Sequence, residues 1–277
     1  MDGTLPDALH QHLAALLDDG WLTGEACRPY GGDDSRRWAM PAAVALPRTR
    51  EEVAEVVRAC RRHRVPVVAR GAGTGTTGAA VPTLGGVVVS FARMTRILDI
   101  RAADRCAVVE PGVLNGDLQR ALAPHGLFWP PDPSSADQCS IGGNLATNAG
   151  GTQVLRYGNM REQVLGLEVV LPDGRVWDGL RGLRKDNTGY DLKHLFIGAE
   201  GTLGIVTAAV LKLYPKPRAI ATALVALEDP STAVALLGRL RAACGERVTG
   251  FELMARVCFD LVFRHIPGSR DPFGEPH

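Results

Sequence analysis

The sequence of 277 residues predicts an α+β fold made of two lobes followed by a third, incomplete unit. Three observations indicate this. Strands enclose a helix over residues 41–91, hairpin-connected strands occupy residues 164–213, and a β-α-β-α pattern begins after Pro217 and is followed by no further strand. Hydrophobic residues make up 45% of the chain, which is enough for a sizeable core.

Residues 1–40 are predicted to form a helical extension. Leu9, Leu13, Leu16 and Leu17 lie on one stripe of an amphipathic helix. The segment lacks the basic opening and apolar run of a signal peptide, and no apolar stretch reaches the roughly 20 residues that span a bilayer. We therefore expect a soluble, cytoplasmic protein without a transmembrane segment.

The first lobe is predicted over residues 41–91. Residues 41–46 form a strand, and Thr49 caps a helix whose first turn carries Glu51 and Glu52, where the helix dipole favours acids. Residues 65–69 and 87–91 are the next strands, with a glycine-rich loop between them.

The second lobe is predicted to combine a helix with strands joined by turns. The long segment 126–151 is rich in Pro, Ser, Asn and Gly, and loops of that length in a compact domain are usually functional. The predicted elements are a strand at 105–110, a helix at 115–123, a strand at 164–171, a turn at Asp173-Gly174 and a strand at 204–213.

The third unit is predicted to contain two strands and two helices: strands at 220–227 and 248–254, and helices at 231–244 and 255–263. Two strands cannot easily cover two helices. We expect exposed apolar faces at 220–227 and 257–263, and poor solubility.

Charge and spacing argue against several classes of function. The net charge of +1 and the absence of a basic run give no sign of nucleic-acid binding. Six scattered cysteines without a CxxC pair are expected to be reduced thiols, most of them buried. Seven histidines lack metal-ligand spacing, so no metal site is predicted within these residues.

The strongest local motif is the glycine-rich loop Gly71–Gly78, which follows a strand and Arg70 directly. Such a loop lets backbone N–H groups face a phosphate. It satisfies G-x-G-x-x-G, but a Rossmann motif must open a helix, and Pro82 and Gly85-Gly86 would break one. No Lys-Ser or Lys-Thr pair completes a Walker loop.

Two further segments allow a flat ligand to approach the backbone. Prolines stiffen residues 130–135, and glycines with Asn and Thr fill residues 140–151. Residues 185–192 and 198–206 follow, with Gly201 and Gly204 bracketing the entry to an apolar strand.

Taken in order, these segments resemble the flavin-linked oxidases of the vanillyl-alcohol-oxidase type, which carry a PCMH-type FAD-binding domain. Within that family they are most similar to the branch containing the glycolate oxidase D subunit, D-lactate dehydrogenase and D-2-hydroxyglutarate dehydrogenase. The motifs that carry the resemblance are Ala42–Val53, Arg70–Gly75, Glu110–Val113, Pro130–Ser135, Ile141–Asn144, Tyr157-Gly158, Val164–Gly174, Thr188–Leu192 and Glu200–Gly204.

The resemblance implies two lobes with FAD between them, over residues 41–217, and the start of an incomplete substrate-binding cap over residues 218–277. The chain accordingly looks truncated after its FAD domain. The implied cofactor-binding residues are Arg70, Gly71, Ala72, Gly73, Thr74, Gly75, Thr76, Thr77, Pro131, Asp132, Ser135, Ser140, Gly142, Gly143, Asn144, Thr147, Ala149, Gly150, Glu200, Gly201, Gly204, Ile205 and Val206. Thr74 stands where relatives with covalent flavin carry His, which implies non-covalent FAD.

The resemblance implies oxidation of a D-2-hydroxy acid to the 2-keto acid, with hydride transfer to FAD and an unidentified electron acceptor. No catalytic residue is assigned, because the resemblance implies that the catalytic base and the metal ligands lie beyond residue 277. His125 and His194 are expected to be structural. Other hypotheses stay open: a flavin-binding module without turnover, a non-redox ether-lipid synthesis step, and a nicotinamide-dependent dehydrogenase. The oligomeric state is also open, a homo-oligomer included.

Overall fold

The computed structural model describes residues 5–273, and the chain divides into two compact units. The first unit comprises the chain up to Gly151 together with Asn159–Lys216, and the second comprises Thr152–Gly158 and the chain from Pro217 onward. The first unit contains two lobes, each built on its own sheet. The predicted α+β fold of two lobes is therefore confirmed.

The strands are numbered in chain order. They are β1 (Trp21–Leu22), β2 (Ala43–Ala45), β3 (Val67–Arg70), β4 (Val87–Ser90), β5 (Ile97–Arg101), β6 (Cys106–Val109), β7 (Leu127–Phe128), β8 (Val164–Val170), β9 (Val176–Gly179), β10 (Ile205–Lys212) and β11 (Tyr214–Pro215).

The helices are numbered in the same way. They are α1 (Asp7–Leu17), α2 (Arg50–Arg62), α3 (Asn115–Leu122), α4 (Ile141–Ala146), α5 (Val154–Tyr157), α6 (Lys193–Phe196), α7 (Pro230–Cys244) and α8 (Arg256–His265).

The first lobe is a four-stranded sheet in the order β1-β2-β4-β3, with helices α1 and α2 packed against it. Strands β2, β4 and β3 run parallel, and β1 pairs antiparallel with β2. The Thr49 side chain accepts a hydrogen bond from the Glu52 backbone N–H at 3.2 Å, so the predicted cap of α2 is confirmed. Leu9 and Leu13 of α1 are fully buried against Val53 and Val56 of α2, which attaches the N-terminal helix to this lobe.

The second lobe is a five-stranded antiparallel sheet in the order β5-β6-β10-β8-β9. Its core contains Leu118 and Leu122 of α3, Ile141 and Leu145 of α4, and Trp129. The sequence analysis predicted β6, α3, β8 and β10 but missed β5. It also read residues 126–151 as irregular and so missed α4.

A buried carboxylate on β8 joins the two lobes. Glu168 is 5% exposed, and its Oε2 lies 2.5 Å from Nη1 of Arg50 at the start of α2. Its Oε1 accepts a hydrogen bond from the Thr207 hydroxyl at 2.7 Å. Further along α2, Arg58 donates to the Gly174 carbonyl at 2.9 Å. These contacts hold α2 of the first lobe against the β8–β9 hairpin of the second.

The second unit contains helices α5, α7 and α8. The predicted strands at 220–227 and 248–254 are wrong, because neither segment pairs with another strand within the described residues. Apolar sequence favours a strand only when a neighbour completes its backbone hydrogen bonds. Several apolar side chains are exposed in both predicted faces: Ile220, Leu224, Val225, Val257, Leu261 and Val262.

All six cysteines are free thiols, four of them buried in the first unit. The two exposed cysteines are Cys244 and Cys258 of the second unit. Within residues 5–273, no helix has the length and apolar character needed to cross a membrane.

Candidate functional site

A cavity of about 290 Å³ lies in the first unit, between its two lobes. We call it the cleft. One wall is the end of β3 with the glycine-rich loop, another is the segment from Pro133 to Ala149, and the third is the entry to β10. The sequence analysis singled out the same three segments, which are far apart in the chain and converge here.

The glycine-rich loop presents unpaired backbone amides to the cleft. Among the described residues, the N–H groups of residues 73–77 donate no hydrogen bond, although all five residues line the cavity. No helix follows the loop, as the rejection of a Rossmann motif requires. Gly73 has a φ of +78°, and a Cβ there would overlap the Arg70 guanidinium. Glycine adopts the positive φ of this turn without strain and leaves room for the Arg70 side chain.

Ser140 fastens the glycine-rich loop to α4. Its Oγ accepts hydrogen bonds from the Gly143 N–H at 3.3 Å, as the cap of α4, and from the Ala72 N–H at 3.2 Å. Gly71 makes this approach possible, because a Cβ at that position would meet Ser140 Oγ and lie 3.1 Å from Cα of Gly143. The two glycine-containing segments therefore pack backbone to backbone.

The N-terminal turn of α4 is held from its other side by the loop after β6. Gly142 donates its N–H to the Pro111 carbonyl at 2.7 Å, and Ile141 donates to the Val113 carbonyl at 2.9 Å. A Cβ on Gly142 would lie 2.6 Å from Cβ of Pro111. Glycine at 142 is thus a packing requirement.

The third wall is fixed to the C-terminal end of α4. Gly198 and Glu200 donate backbone N–H groups to the carbonyls of Leu145 and Ala146, at 3.0 and 2.9 Å. Gly204 packs against Val169 of β8, where a Cβ would lie 2.6 Å from the valine Cγ1. Helix α4 thereby connects the wall at the entry to β10 with the wall that carries Ser140.

Two opposite charges sit at the base of the glycine-rich loop. Arg70 is almost fully buried and donates from Nη1 to the Gly32 carbonyl at 2.5 Å. Burial lowers the pKa of Arg70, and the nearby Asp33 carboxylate opposes that shift. Asp33 also lines the cleft, and its Oδ2 is buried without a hydrogen-bond partner among the described residues.

The structure gathers the predicted cofactor-binding residues around the cleft, all except Pro131, Asp132 and Gly150. Pro131 instead accepts a hydrogen bond at its carbonyl from Asn115 Nδ2 at 3.3 Å. Asp132 and Gly150 lie beside Gly151, whose Cα packs on the Asp132 backbone.

Several residues that line the cleft were missed by the sequence analysis. Most lie within or beside the predicted motifs, whereas Asp33 and Phe91 are farther from them in sequence. The missed residues are Asp33, Ala69, Ala79, Ala80, Phe91, Pro111, Pro133, Ser134, Cys139, Ala146 and Phe196.

Neither histidine considered for catalysis lines the cleft. His194 lies 3.5 Å from an Asp191 carboxylate oxygen, and partial burial lowers its pKa. His125 ends a short helical turn before Gly126. Within residues 5–273, no group of three or more His, Cys, Asp or Glu side chains is arranged to hold a metal ion.

Residues 41–179 match the family described as FAD binding domain. The glycolate oxidase subunit GlcD of Bacillus subtilis is 46% identical over 205 residues, covering 74% of this chain and 44% of that protein. The mitochondrial D-2-hydroxyglutarate dehydrogenase of Arabidopsis thaliana is 40% identical over 229 residues, covering 83% of this chain and 41% of that protein. The chain thus spans less than half the length of these two relatives.

Two solved structures share the fold. An alkyldihydroxyacetonephosphate synthase superimposes with a TM-score of 0.73 at 25% identity, covering 87% of this chain and 50% of that one. A substrate-bound p-cresol methylhydroxylase superimposes with a TM-score of 0.71 at 26% identity, covering 85% of this chain and 48% of that one.

Proposed function

Because the chain belongs to the FAD binding domain family, we propose that its cleft holds FAD without a covalent bond and that the protein oxidises a D-2-hydroxy acid. Membership confirms the resemblance drawn from the motifs. The substrate rests on the relatives, which include a glycolate oxidase subunit and D-2-hydroxyglutarate dehydrogenases. The cofactor rests on the family and on the cleft itself.

The groups that line the cleft fit a dinucleotide. The single observation that carries the proposal is the row of unpaired amides over residues 73–77, because backbone N–H groups are suitable donors to a pyrophosphate. Arg70 adds a buried positive charge beside them. Gly71 and Gly142 remove side chains where the walls approach each other, which leaves the cleft open to a flat ligand.

FAD, when bound, supplies an acceptor for the hydride that leaves the α-carbon of the substrate. The residues of this chain bind and orient it. The glycine-rich loop would hold the phosphates, the Ser140–Gly151 segment would pass along the dinucleotide, and Gly201, Gly204, Ile205 and Val206 would close over its other side. Thr74 cannot form the covalent flavin bond that a histidine would form, which supports non-covalent binding.

We propose residues 41–217 as the FAD-binding domain, residues 1–40 as an N-terminal extension of it, and residues 218–277 as the start of the substrate-binding part. The family match over residues 41–179 and the passage of the chain from the first unit into the second at Pro217 support these bounds. A cytoplasmic location stays a prediction that fractionation of the native cells would test.

Two other functions remain as candidates. A flavin-binding module without turnover is favoured by the absence of histidine from the residues that line the cleft. A non-redox reaction is favoured by the structural similarity to an alkyldihydroxyacetonephosphate synthase.

Anaerobic mixing of the FAD-loaded protein with D-lactate, glycolate or D-2-hydroxyglutarate tests the proposed reaction. Oxidation predicts bleaching of the flavin band near 450 nm by one of these acids and formation of its 2-keto acid. Bound FAD that none of them bleaches would refute oxidation by this chain and favour the non-catalytic module.

A further inference from the structure

Asp33 has one carboxylate oxygen engaged and the other free. Oδ1 accepts a hydrogen bond from the Ser35 N–H at 3.0 Å, which fixes the orientation of the side chain. Oδ2 is buried and has no hydrogen-bond partner among the described residues. An ideal Cβ built on Gly75 would lie 4.0 Å from this oxygen, so Oδ2 is directed at the glycine-rich loop.

The surrounding residues do not satisfy this oxygen. Arg70, whose pKa the Asp33 carboxylate affects, donates to the Gly32 carbonyl and forms no ion pair with Asp33 in the described chain. A buried acceptor without a donor costs free energy, and a charged one costs more. Asp33 lines the cleft, so a ligand in the cleft can bring the missing donor to it.

We propose that Asp33 accepts a hydrogen bond from a sugar hydroxyl of FAD and is therefore a further cofactor-binding residue; this inference rests on the proposed function. An ionised carboxylate only accepts, so Oδ2 cannot contact a phosphate oxygen favourably. Gly75, whose ideal Cβ would lie 4.0 Å from Oδ2, belongs to the row of amides at residues 73–77 that would hold the phosphates. The groups joined directly to the two phosphates are the ribityl chain and the ribose, and both carry hydroxyls.

The test compares Asp33→Asn with the matched control Asp34→Asn. Both substitutions remove one negative charge, but the Asp34 side chain is exposed and does not line the cleft. The affinity of each apoprotein for FAD is measured from the quenching of flavin fluorescence. The Asn amide can still donate a neutral hydrogen bond to the hydroxyl oxygen, so loss of the charge-assisted bond predicts about 3- to 10-fold weaker binding for Asp33→Asn. Asp34→Asn is expected to stay within about twofold of wild type.

Thermal unfolding without FAD separates binding from a structural role. Asn at position 33 still accepts from the Ser35 N–H, so the apoprotein is expected to unfold at the wild-type temperature or above it. A matching drop in apoprotein stability and FAD affinity would overturn the inference. Equal FAD affinity for Asp33→Asn and wild type would overturn it while leaving FAD binding intact. A wild-type protein that binds no FAD would overturn both.

Two fragments of the cofactor identify the hydroxyl. FMN carries the ribityl chain without the ribose, and ADP carries the ribose without the ribityl chain. A penalty of Asp33→Asn on FMN binding assigns the ribityl chain, and a penalty on ADP binding assigns the ribose. A penalty on neither fragment would overturn the assignment to a sugar hydroxyl.

Discussion

Ser140→Ala tests whether one hydroxyl holds the cleft together. The serine Oγ accepts from the Gly143 N–H at 3.3 Å and from the Ala72 N–H at 3.2 Å. Alanine removes both hydrogen bonds and leaves the backbone of α4 unchanged. The helix loses its cap, and the glycine-rich loop loses its tie to the opposite wall.

The expected loss of stability follows from these two contacts. Loss of an N-cap costs about 1 kcal/mol. Loss of the Ala72 hydrogen bond adds about 0.5–1 kcal/mol, because this amide can be rehydrated at a half-open site. Together they correspond to a fall of about 3–8 °C in the unfolding temperature of a unit of this size. The affinity for FAD is expected to fall about tenfold or more, because the loop amides are no longer held in position.

Thr49→Ala is the matched control. Thr49 caps α2 by accepting from the Glu52 N–H at 3.2 Å, and it does not line the cleft. This variant is expected to lose about 1 kcal/mol of stability with unchanged FAD affinity. Differential scanning fluorimetry and FAD titration measure both quantities. Wild-type FAD affinity in Ser140→Ala, or equal losses of affinity in the two variants, would refute the role given to Ser140.

Three further predictions concern packing, the joint between the lobes and the thiols. Gly142→Ala is expected to lower the free energy of unfolding by about 1–3 kcal/mol in denaturant titration, because its Cβ would lie 2.9 Å from the Pro111 carbonyl oxygen. Gly75→Ala is the control, because its Cβ would meet no atom closer than 4.0 Å. Equal stability of the two variants would contradict this. Glu168→Ala is expected to lower the free energy of unfolding by about 1–3 kcal/mol, a range that is kept small because Arg50 is half-exposed. An unchanged denaturation midpoint would argue against the role of Glu168 in holding the two lobes together. Brief alkylation of the native protein is expected to modify the two exposed cysteines and spare the four buried ones, and mass mapping that finds a buried site modified equally fast would contradict the packing.

Local signals allowed the first lobe to be predicted except for its strand β1, which the sequence analysis missed. Helix α2 carries its cap at Thr49, acids in its first turn and an apolar stripe that includes Val53 and Val56. The capping, charge and periodicity signals therefore all predict the same helix. Helix α4 was missed because Gly142 and Gly143 have low helix propensity. It forms nevertheless, because Ser140 caps it and Leu145 is buried in the core of the second lobe.

Two other errors share one physical cause, which is dependence on distant partners. Residues 220–227 have the composition of a strand, yet a strand also requires a neighbour for its backbone groups. Asp33 was missed because it lies in a polar turn far in sequence from the glycine-rich loop, and only the folded chain directs Oδ2 at the cleft. The Asp33–Ser35 turn gave the one local signal, since Asp side chains commonly accept from the N–H two residues on.

The absorption spectrum of the purified protein after incubation with FAD and removal of free cofactor tests the central claim most directly. Flavin bands near 450 nm that stay with the native protein and pass into the supernatant after acid precipitation are the predicted result. Bands that remain with the acid pellet would contradict non-covalent binding and the argument from Thr74. A colourless protein that takes up no FAD would contradict the assignment of the cleft.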